Sequence, residues 1–342
     1  MRNLPLYAFS TARSAVFSAE YLVLNSLKAL MPGSEKYSEK MDRATAFAAR
    51  AAVQELLRRD AGNIAAGLYP AAVLKPESPL RHMGRIPKLL ADGVSIYWRR
   101  SRGQTTVFDS EARELLADTP RYYHRNFHFQ TDGYLTARSA ELYEHQVEML
   151  FGGAADAMRR LIIAPLKKRF GNTNGKGLTF LEIGAGTGRS TRFVRLAFPK
   201  AKIVAVDLSD PYLKLAEKHL AEFPRIDFMQ ADGGKLPFLA EQFDAVYSVF
   251  LFHELPLEAR KAVLFESRRV LKPGGFVGMV DSLQSRDNTD FDDLLARFPH
   301  NYHEPFYRNY LDHSMQGLFQ EEGFTDIGTD SGFFSKVCWG AS

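Results

Sequence analysis

A single cysteine, Cys338, stands among 342 residues. One thiol cannot build an internal disulfide framework or a multi-cysteine metal site, so a reducing, cytoplasmic setting is expected. Long apolar runs are missing too. No stretch approaches the ~20 apolar residues that cross a bilayer, and no integral membrane segment is expected. The opening stretch from Leu4 to Leu30 is apolar but interrupted by Arg13, Ser14, Ser18, Glu20 and Asn25. It lacks the compact apolar region and small-residue cleavage site of a secretory signal. Its shortage of acids is a trait of transit peptides, but a helix that packs or self-associates is the preferred reading. Internal repeats and low-complexity tracts are absent.

Charge is present but uneven. The net charge is +4, yet residues 1–170 hold 25 Lys and Arg against 17 Asp and Glu, while the remainder holds 19 against 23. A basic first half suits nucleic acid, an anionic membrane or an acidic substrate, or is simply a solvated helical surface. The tightest cluster, Trp98-Arg99-Arg100-Ser101-Arg102, is short and runs into a glycine-containing turn. That favours the solvated surface, and nucleic acid is not the favoured partner.

Apolar residues at near-helical spacing, among them Phe47, Ala51, Leu56 and Leu57, predict a helix from about Glu35 to Gly67. Ser95–Trp98 and Thr105–Phe108 read as a short hairpin. Ser110–Leu116 reads as a helix ended by Pro120. Residues 121–134 are half aromatic or histidine. Thr136–Met158 then reads as one amphipathic helix, and a further one passes through Leu161 and Leu166. The polar, glycine-rich run 171–177 is the best linker. Beyond Asp281 an irregular stretch to Asn309, a helix over Tyr310–Glu322 and two apolar segments close the chain.

The densest signal is Thr179-Phe180-Leu181-Glu182-Ile183-Gly184-Ala185-Gly186-Thr187-Gly188. An apolar strand is followed by glycines at alternate positions, which let the chain turn sharply and let a ligand touch bare backbone. Dinucleotide turns use G-x-G-x-x-G and seat a pyrophosphate on a helix N-terminus. Here the third glycine comes one place early and a carboxylate precedes the first. That carboxylate repels phosphate and suits a cationic ligand. Three further stations follow: Ile203–Asp207, Ile226–Gly233 and Phe243–Val249. Arg269-Val270-Leu271-Lys272-Pro273-Gly274-Gly275 then marks a helix, a tight turn and another strand.

The set resembles, in order, the motifs of the class I S-adenosylmethionine (SAM)-dependent methyltransferases, over residues 178–339. The resemblance implies an α/β fold with a Rossmann-like seven-stranded sheet, behind an additional, mainly helical N-terminal domain. The expected division is residues 1–120 for capping or dimerisation, 121–177 for an aromatic cap, helix and linker, and 178–342 for SAM binding. It also implies SAM as cofactor, leaving S-adenosylhomocysteine (SAH). Glu182, Gly184, Gly186 and Gly188 would hold the methionine end and Asp207 the ribose. Asp232 and Gly233 would meet the adenine, with Leu208 and Phe250 beside the cofactor.

Methyl transfer from a sulfonium needs alignment and exclusion of water, and a base only where the acceptor must lose a proton. His253, just past the fourth strand, is the base candidate, with packing as its other role. Its surroundings look like those of the catalytic histidine in plant-type small-molecule O-methyltransferases, except that Leu255-Pro256 replaces an aromatic and a polar residue. No zinc helix motif starts there, because position 257 is Leu. The loop also lacks the acid-or-Asn, double-proline and aromatic pattern of enzymes that methylate base nitrogens. Tyr123, Phe127, His128, Gln130 and Tyr134 are expected to cap donor or acceptor, aromatic faces being able to hold a sulfonium, or else to form a hinge. His303 and Tyr307 are placed at the acceptor pocket, and no metal is expected. The reading is a methyltransferase acting on a small organic molecule, with oxygen slightly favoured over sulfur, nitrogen or carbon. A macromolecular methyltransferase and a non-catalytic SAM-binding partner are the alternatives, and a homodimer is open to either.

Overall fold

The computed structural model describes residues 3–29, 42–117 and 119–342; the expected helix start at Glu35 lies outside them. Four helices come first: α1 (Leu4–Ala29), α2 (Arg43–Ala65), α3 (Pro79–Ser101) and α4 (Ser110–Leu116). Asp42 starts α2 by accepting from the amides of Ala44 and Thr45 at 2.9 and 3.0 Å, donors that a helix N-terminus leaves free. The expected hairpin does not form. Ser95–Trp98 lies in α3, and Thr105–Phe108 belongs to no strand. Ile96, Tyr97 and Trp98 favour strand locally, but Leu89, Asp92 and Arg99 are buried at helical spacing. Asp92 accepts from Thr131 and Gln146 at 2.5 and 2.7 Å, and Arg99 donates to the Phe129 carbonyl at 2.8 Å. Tertiary contacts outweigh propensity here.

Three helices lead to the sheet: α5 (Ala137–Leu150), α6 (Ala155–Arg159) and α7 (Ile163–Phe170). The single helix expected over 136–158 is broken at Gly152 and Gly153, where α1 crosses. A Cβ on Gly153 would lie 2.8 Å from Ser14 Cα, closer than packed atoms allow.

Seven strands follow: β1 (Thr179–Ile183), β2 (Lys202–Asp207), β3 (Ile226–Gln230), β4 (Phe243–Val249), β5 (Leu271–Ser282), β6 (Thr325–Gly332) and β7 (Ser335–Ala341). They form one sheet in the order β3-β2-β1-β4-β5-β7-β6, parallel except for β7, which runs antiparallel to both its neighbours. The crossover helices are α8 (Arg189–Ala197), α9 (Asp210–Leu220) and α10 (Leu257–Val270). Between β5 and β6 lie α11 (Asp292–Tyr302), α12 (Tyr307–Asp312) and α13 (Met315–Glu321). The stretch expected to be irregular therefore holds α11. The helix expected over Tyr310–Glu322 is two, divided where Ser314 caps α13 by accepting from the Gly317 amide at 3.0 Å.

Both faces of the sheet are covered. Leu56, Leu57 and Ile64 of α2 share one apolar core with Phe180, Ile203 and Tyr247 of the strands. Each such side chain contributes roughly 1.5–3 kcal/mol by leaving water. α2 is thus built into the sheet's own core, while α3 and α4 pack in smaller clusters apart from it.

Candidate active site

β1 and β4 lie side by side, and the chain leaves them toward opposite edges of the sheet. Such a switch point opens a crevice at the strands' C-terminal ends. The cleft there has an empty volume of about 950 Å³. Gly184, Ala185, Gly186, Asp207 and Leu208 line it from β1 and β2, Asp232 and Gly233 from beyond β3, and Phe250, Leu251, Glu254 and Leu255 from beyond β4.

The glycine turn is pinned to β2. The Gly184 and Ala185 amides donate to the Val206 carbonyl at 2.9 and 3.0 Å. Gly186 has φ 53°, and a Cβ there would meet nothing within 4 Å, so its backbone lies open. Its amide donates to Asp207 Oδ2 at 2.7 Å, while Oδ1 accepts from the Ser209 amide at 2.8 Å. Burial raises the Asp207 carboxyl to about 6, and those two amides hold it from rising further.

Two motif residues stand off the cleft. Gly188 starts α8, where a Cβ would come within 2.8 Å of Leu220 and 3.0 Å of Ala216, so it is a packing glycine. Glu182 is fully buried behind the turn. Its Oε2 accepts from Thr191 Oγ1 at 2.5 Å and from the Tyr247 hydroxyl at 2.9 Å, and its Oε1 has no partner. Burial pushes this carboxyl up to about 8. It braces the turn from beneath, because β1 directs it into the sheet core.

The opposite wall comes from upstream of the sheet. Of the proposed cap residues Tyr123, Phe127 and Tyr134 line the cleft, with Tyr122, Tyr143, Glu144 and Arg159 from the same upstream region and Tyr212 from α9, which sequence reasoning missed. Phe127 stacks on Tyr134 at 5.5 Å, and Tyr143 and Tyr212 each meet Tyr134 edge-on at 5.7 Å. Arg159 pairs with Glu144 at 2.9 Å and lies over the Phe250 ring at 5.5 Å.

At one end of the cleft several groups converge on Glu254. The Tyr134 hydroxyl donates to its Oε1 at 2.5 Å, and the Nε2 atoms of His128 and His253 lie 3.7 and 3.8 Å away. His128 also meets Glu304 at 3.0 Å, and His253 Nδ1 meets Asp281 at 2.6 Å. Burial opposes protonation of both rings. Glu304 and Glu254 nonetheless lift His128 to about 10, and Asp281 lifts His253 to about 9. The neighbouring carboxylates thus favour the protonated form of both imidazoles, and His253 does not line the cleft. Of the two roles read from the sequence, base or packing, its place beside Glu254 and on Asp281 is compatible with the second. His128 and Phe129 each have φ 54°, a left-handed backbone that costs about 1–3 kcal/mol per residue. Asn126, fully buried, donates to the Gln130 and Val107 carbonyls and holds that loop.

A second space of about 1090 Å³ lies between α1, α3 and α5, walled by Leu24, Leu89, Val94, Val147, Met149 and Leu150. Tyr143 lines both spaces, and His128 and Gln130 face this second one. His303 and Tyr307 line neither. His303 lies against the Phe129 ring at 5.2 Å, where burial and Arg125 push it down to about 4. The Tyr307 hydroxyl bonds the Ser282 hydroxyl at 2.5 Å, with its ring beside His253.

The cleft fits SAM. Gly186 offers bare backbone, Asp207 presents a carboxylate with lone pairs that suit ribose hydroxyls, Arg159 and Glu144 carry the two charges that would complement an amino-acid zwitterion, and aromatic faces suit a sulfonium.

A family model described as a methyltransferase domain matches residues 180–275. A demethylmenaquinone methyltransferase of Clavibacter sepedonicus is 41% identical over 99 residues, 29% of this chain and 39% of that one. A ubiquinone/menaquinone biosynthesis C-methyltransferase UbiE of Ectopseudomonas oleovorans is 33% identical over 142 residues, 40% of this chain and 78% of that one. Across the first of these curated relatives the chain spans only 39–54% of their length. Among solved structures, a SAM-dependent methyltransferase from Aquifex aeolicus is 18% identical with a TM-score of 0.38, covering 52% of this chain and 88% of that one. With the glycine turn, the acid-tipped strands and the seven-stranded order in place, the chain belongs to the class I SAM-dependent methyltransferases.

Proposed function

We propose that the chain transfers the methyl group of SAM to a ring carbon of an apolar, hydroxylated aromatic acceptor. The observation that carries this reading is Tyr143, the shared wall between the cofactor cleft and the apolar chamber of α1, α3 and α5. On this reading the acceptor ring lies by Glu254 and its apolar substituent in the chamber on the other side of Tyr143. The relatives point the same way, since their names specify demethylmenaquinone and C-methylation.

SAM, when bound, supplies a methyl group already activated by a positively charged sulfur. The chain aligns the partners and excludes water, which supplies much of such catalysis. Glu254 takes the proton of the acceptor hydroxyl. The charge left behind would spread from oxygen to the neighbouring ring carbon, which would take the methyl group as the sulfur–methyl bond breaks and leaves its electron pair on sulfur. The ring hydrogen would then depart as a proton to solvent, and the oxygen would recover its proton from Glu254. Tyr134, His128 and His253 fix the carboxylate. The slight preference for oxygen drew on the aromatic lining and on His253 as a base candidate, and the bond of His253 to Asp281 weakens the second ground. An apolar chamber walled by three helices favours a small apolar acceptor over RNA or protein.

Calorimetric titration with SAH, then labelled transfer from SAM to a short-chain demethylmenaquinol, tests the proposal. A new carbon-bound methyl in the product's NMR spectrum supports it. An oxygen-bound methyl, or no transfer despite SAH binding, overturns it.

A further inference from the structure

α1 and α3 turn an apolar side to solvent. On α3 the exposed positions include Leu80, Met83, Ile86, Leu90, Val94 and Trp98, three or four residues apart along most of the helix. Leu80 is 82% exposed and Met83 64%. On α1, Val16, Val23 and Leu27 are exposed in the same way. Surface helices ordinarily turn their polar side outward, whereas these two expose apolar side chains as well as burying Phe17, Leu89 and Tyr97. Contiguous apolar surface of this extent marks an interaction site.

Charge narrows the partner. Neither helix exposes an acid among the described residues. Glu20 is held by His82 and His145 at 2.5 and 3.0 Å, and Asp92 is buried. The charges that α3 does expose are cations: Arg81, and Lys88, which pairs with Glu141 at 2.8 Å. Just past the helix, Arg102 lies over the Trp98 ring at 5.1 Å. With Lys88 held by Glu141, a second copy would still bring Arg81 and Arg102 to a border where no acid from these helices pairs them.

The face is also continuous with the chamber. Leu27, Leu90 and Val94 are exposed and at the same time line that space. Whatever covers the face also covers the chamber's mouth.

We propose that the α1–α3 face lies on an anionic phospholipid bilayer, with its apolar side chains in the acyl boundary and Arg81, Lys88 and Arg102 at the headgroups. Such a helix pair rests in the interface. No described helix is long and apolar enough to cross it. The proposal stands on the surface alone and does not require the acceptor reading.

Trp98 and Trp339 are the two tryptophans of the chain, so a Trp339→Phe background makes Trp98 a reporter on the face itself. The full chain is mixed with vesicles of phosphatidylcholine alone or with phosphatidylglycerol. Sedimentation and Trp98 emission are read at low and high salt. Expected are co-sedimentation with the anionic vesicles, a blue shift of Trp98, weakening by salt, and at least a tenfold loss of binding in Leu80→Gln/Met83→Gln. Both positions are solvent-exposed, and an unchanged melting temperature checks the variant's fold. A protein that ignores both vesicles, or binds equally well as the variant, overturns the proposal. So does a stable dimer in solution that the two glutamines split, because a second copy would then cover the face.

Discussion

The Tyr134 hydroxyl donates to Glu254 Oε1 at 2.5 Å, joining the upstream cap to the loop after β4 across 120 residues of chain. The bond sets Glu254, the one cleft-lining carboxylate beyond β4 among the described residues, where an acceptor hydroxyl would enter, flanked by the imidazole rings of His128 and His253. Glu254→Gln keeps the shape and removes the base. Turnover is expected to fall by about 10²–10⁴-fold, the usual worth of a positioned general base, with SAH affinity unchanged. Steady-state rates beside SAH titration check this. A normal rate would relocate the proton acceptor.

Asp207 both fastens the glycine turn through the Gly186 amide and presents its carboxylate to the cleft. Asp207→Ala is expected to weaken SAH binding by about 1–3 kcal/mol, the cost of removing a charged hydrogen-bond partner. Because burial raises this carboxyl to about 6, wild-type affinity should decline as pH falls through 6, where the better-accepting ionised form is lost. Asp207→Asn should show no such decline. Calorimetry between pH 5 and 8 distinguishes the two, and a flat wild-type profile would remove Asp207 from the ribose site.

Glu182 makes a stability prediction of opposite character, since it supports the turn from within the core. Its folded-state value near 8 lies above the ordinary carboxyl value of 4.5. Between those two the folded chain holds more protons than the unfolded one, so stability drains away as pH rises, by at most about 1.4 kcal/mol per pH unit. Glu182→Gln stays neutral and escapes that loss. At pH 5 the variant should melt at or below the wild type, and by pH 9 the difference should shrink or reverse. Parallel melting curves at both pH values would mean that the wild-type carboxyl ionises freely.

The strands and the glycine turn were legible because both signals are local: a buried parallel strand is a continuous apolar run, and a sharp turn demands glycine. Asp207 was legible because it ends such a strand. Glu182 shares the motif but not the cleft, since one step along a strand reverses the side on which a residue points. The far wall was half legible. Tyr123, Phe127 and Tyr134 stand in a dense aromatic segment, whereas Tyr143, Glu144 and Arg159 look like ordinary positions on amphipathic helices. Only tertiary packing turns them inward. The Ser95–Trp98 hairpin failed for the same reason: Asp92 and Arg99 find buried partners 30 or more residues away, which no local window contains.

The chamber offers the cleanest separation of acceptor from cofactor. Val147 of α5 lines the apolar space between α1, α3 and α5 and does not touch the SAM cleft. Val147→Phe adds bulk toward empty volume, so its folding penalty should stay at or below the roughly 1–3 kcal/mol of overpacking a filled core. If the acceptor's apolar part sits there, KM for it should rise at least tenfold while SAH affinity and the melting temperature barely move. Shortening the acceptor's apolar tail should restore the rate in the variant and leave the wild type little changed. An unaltered KM with the long acceptor would place the acceptor elsewhere on the cleft and leave Tyr143 a wall of the cofactor site alone.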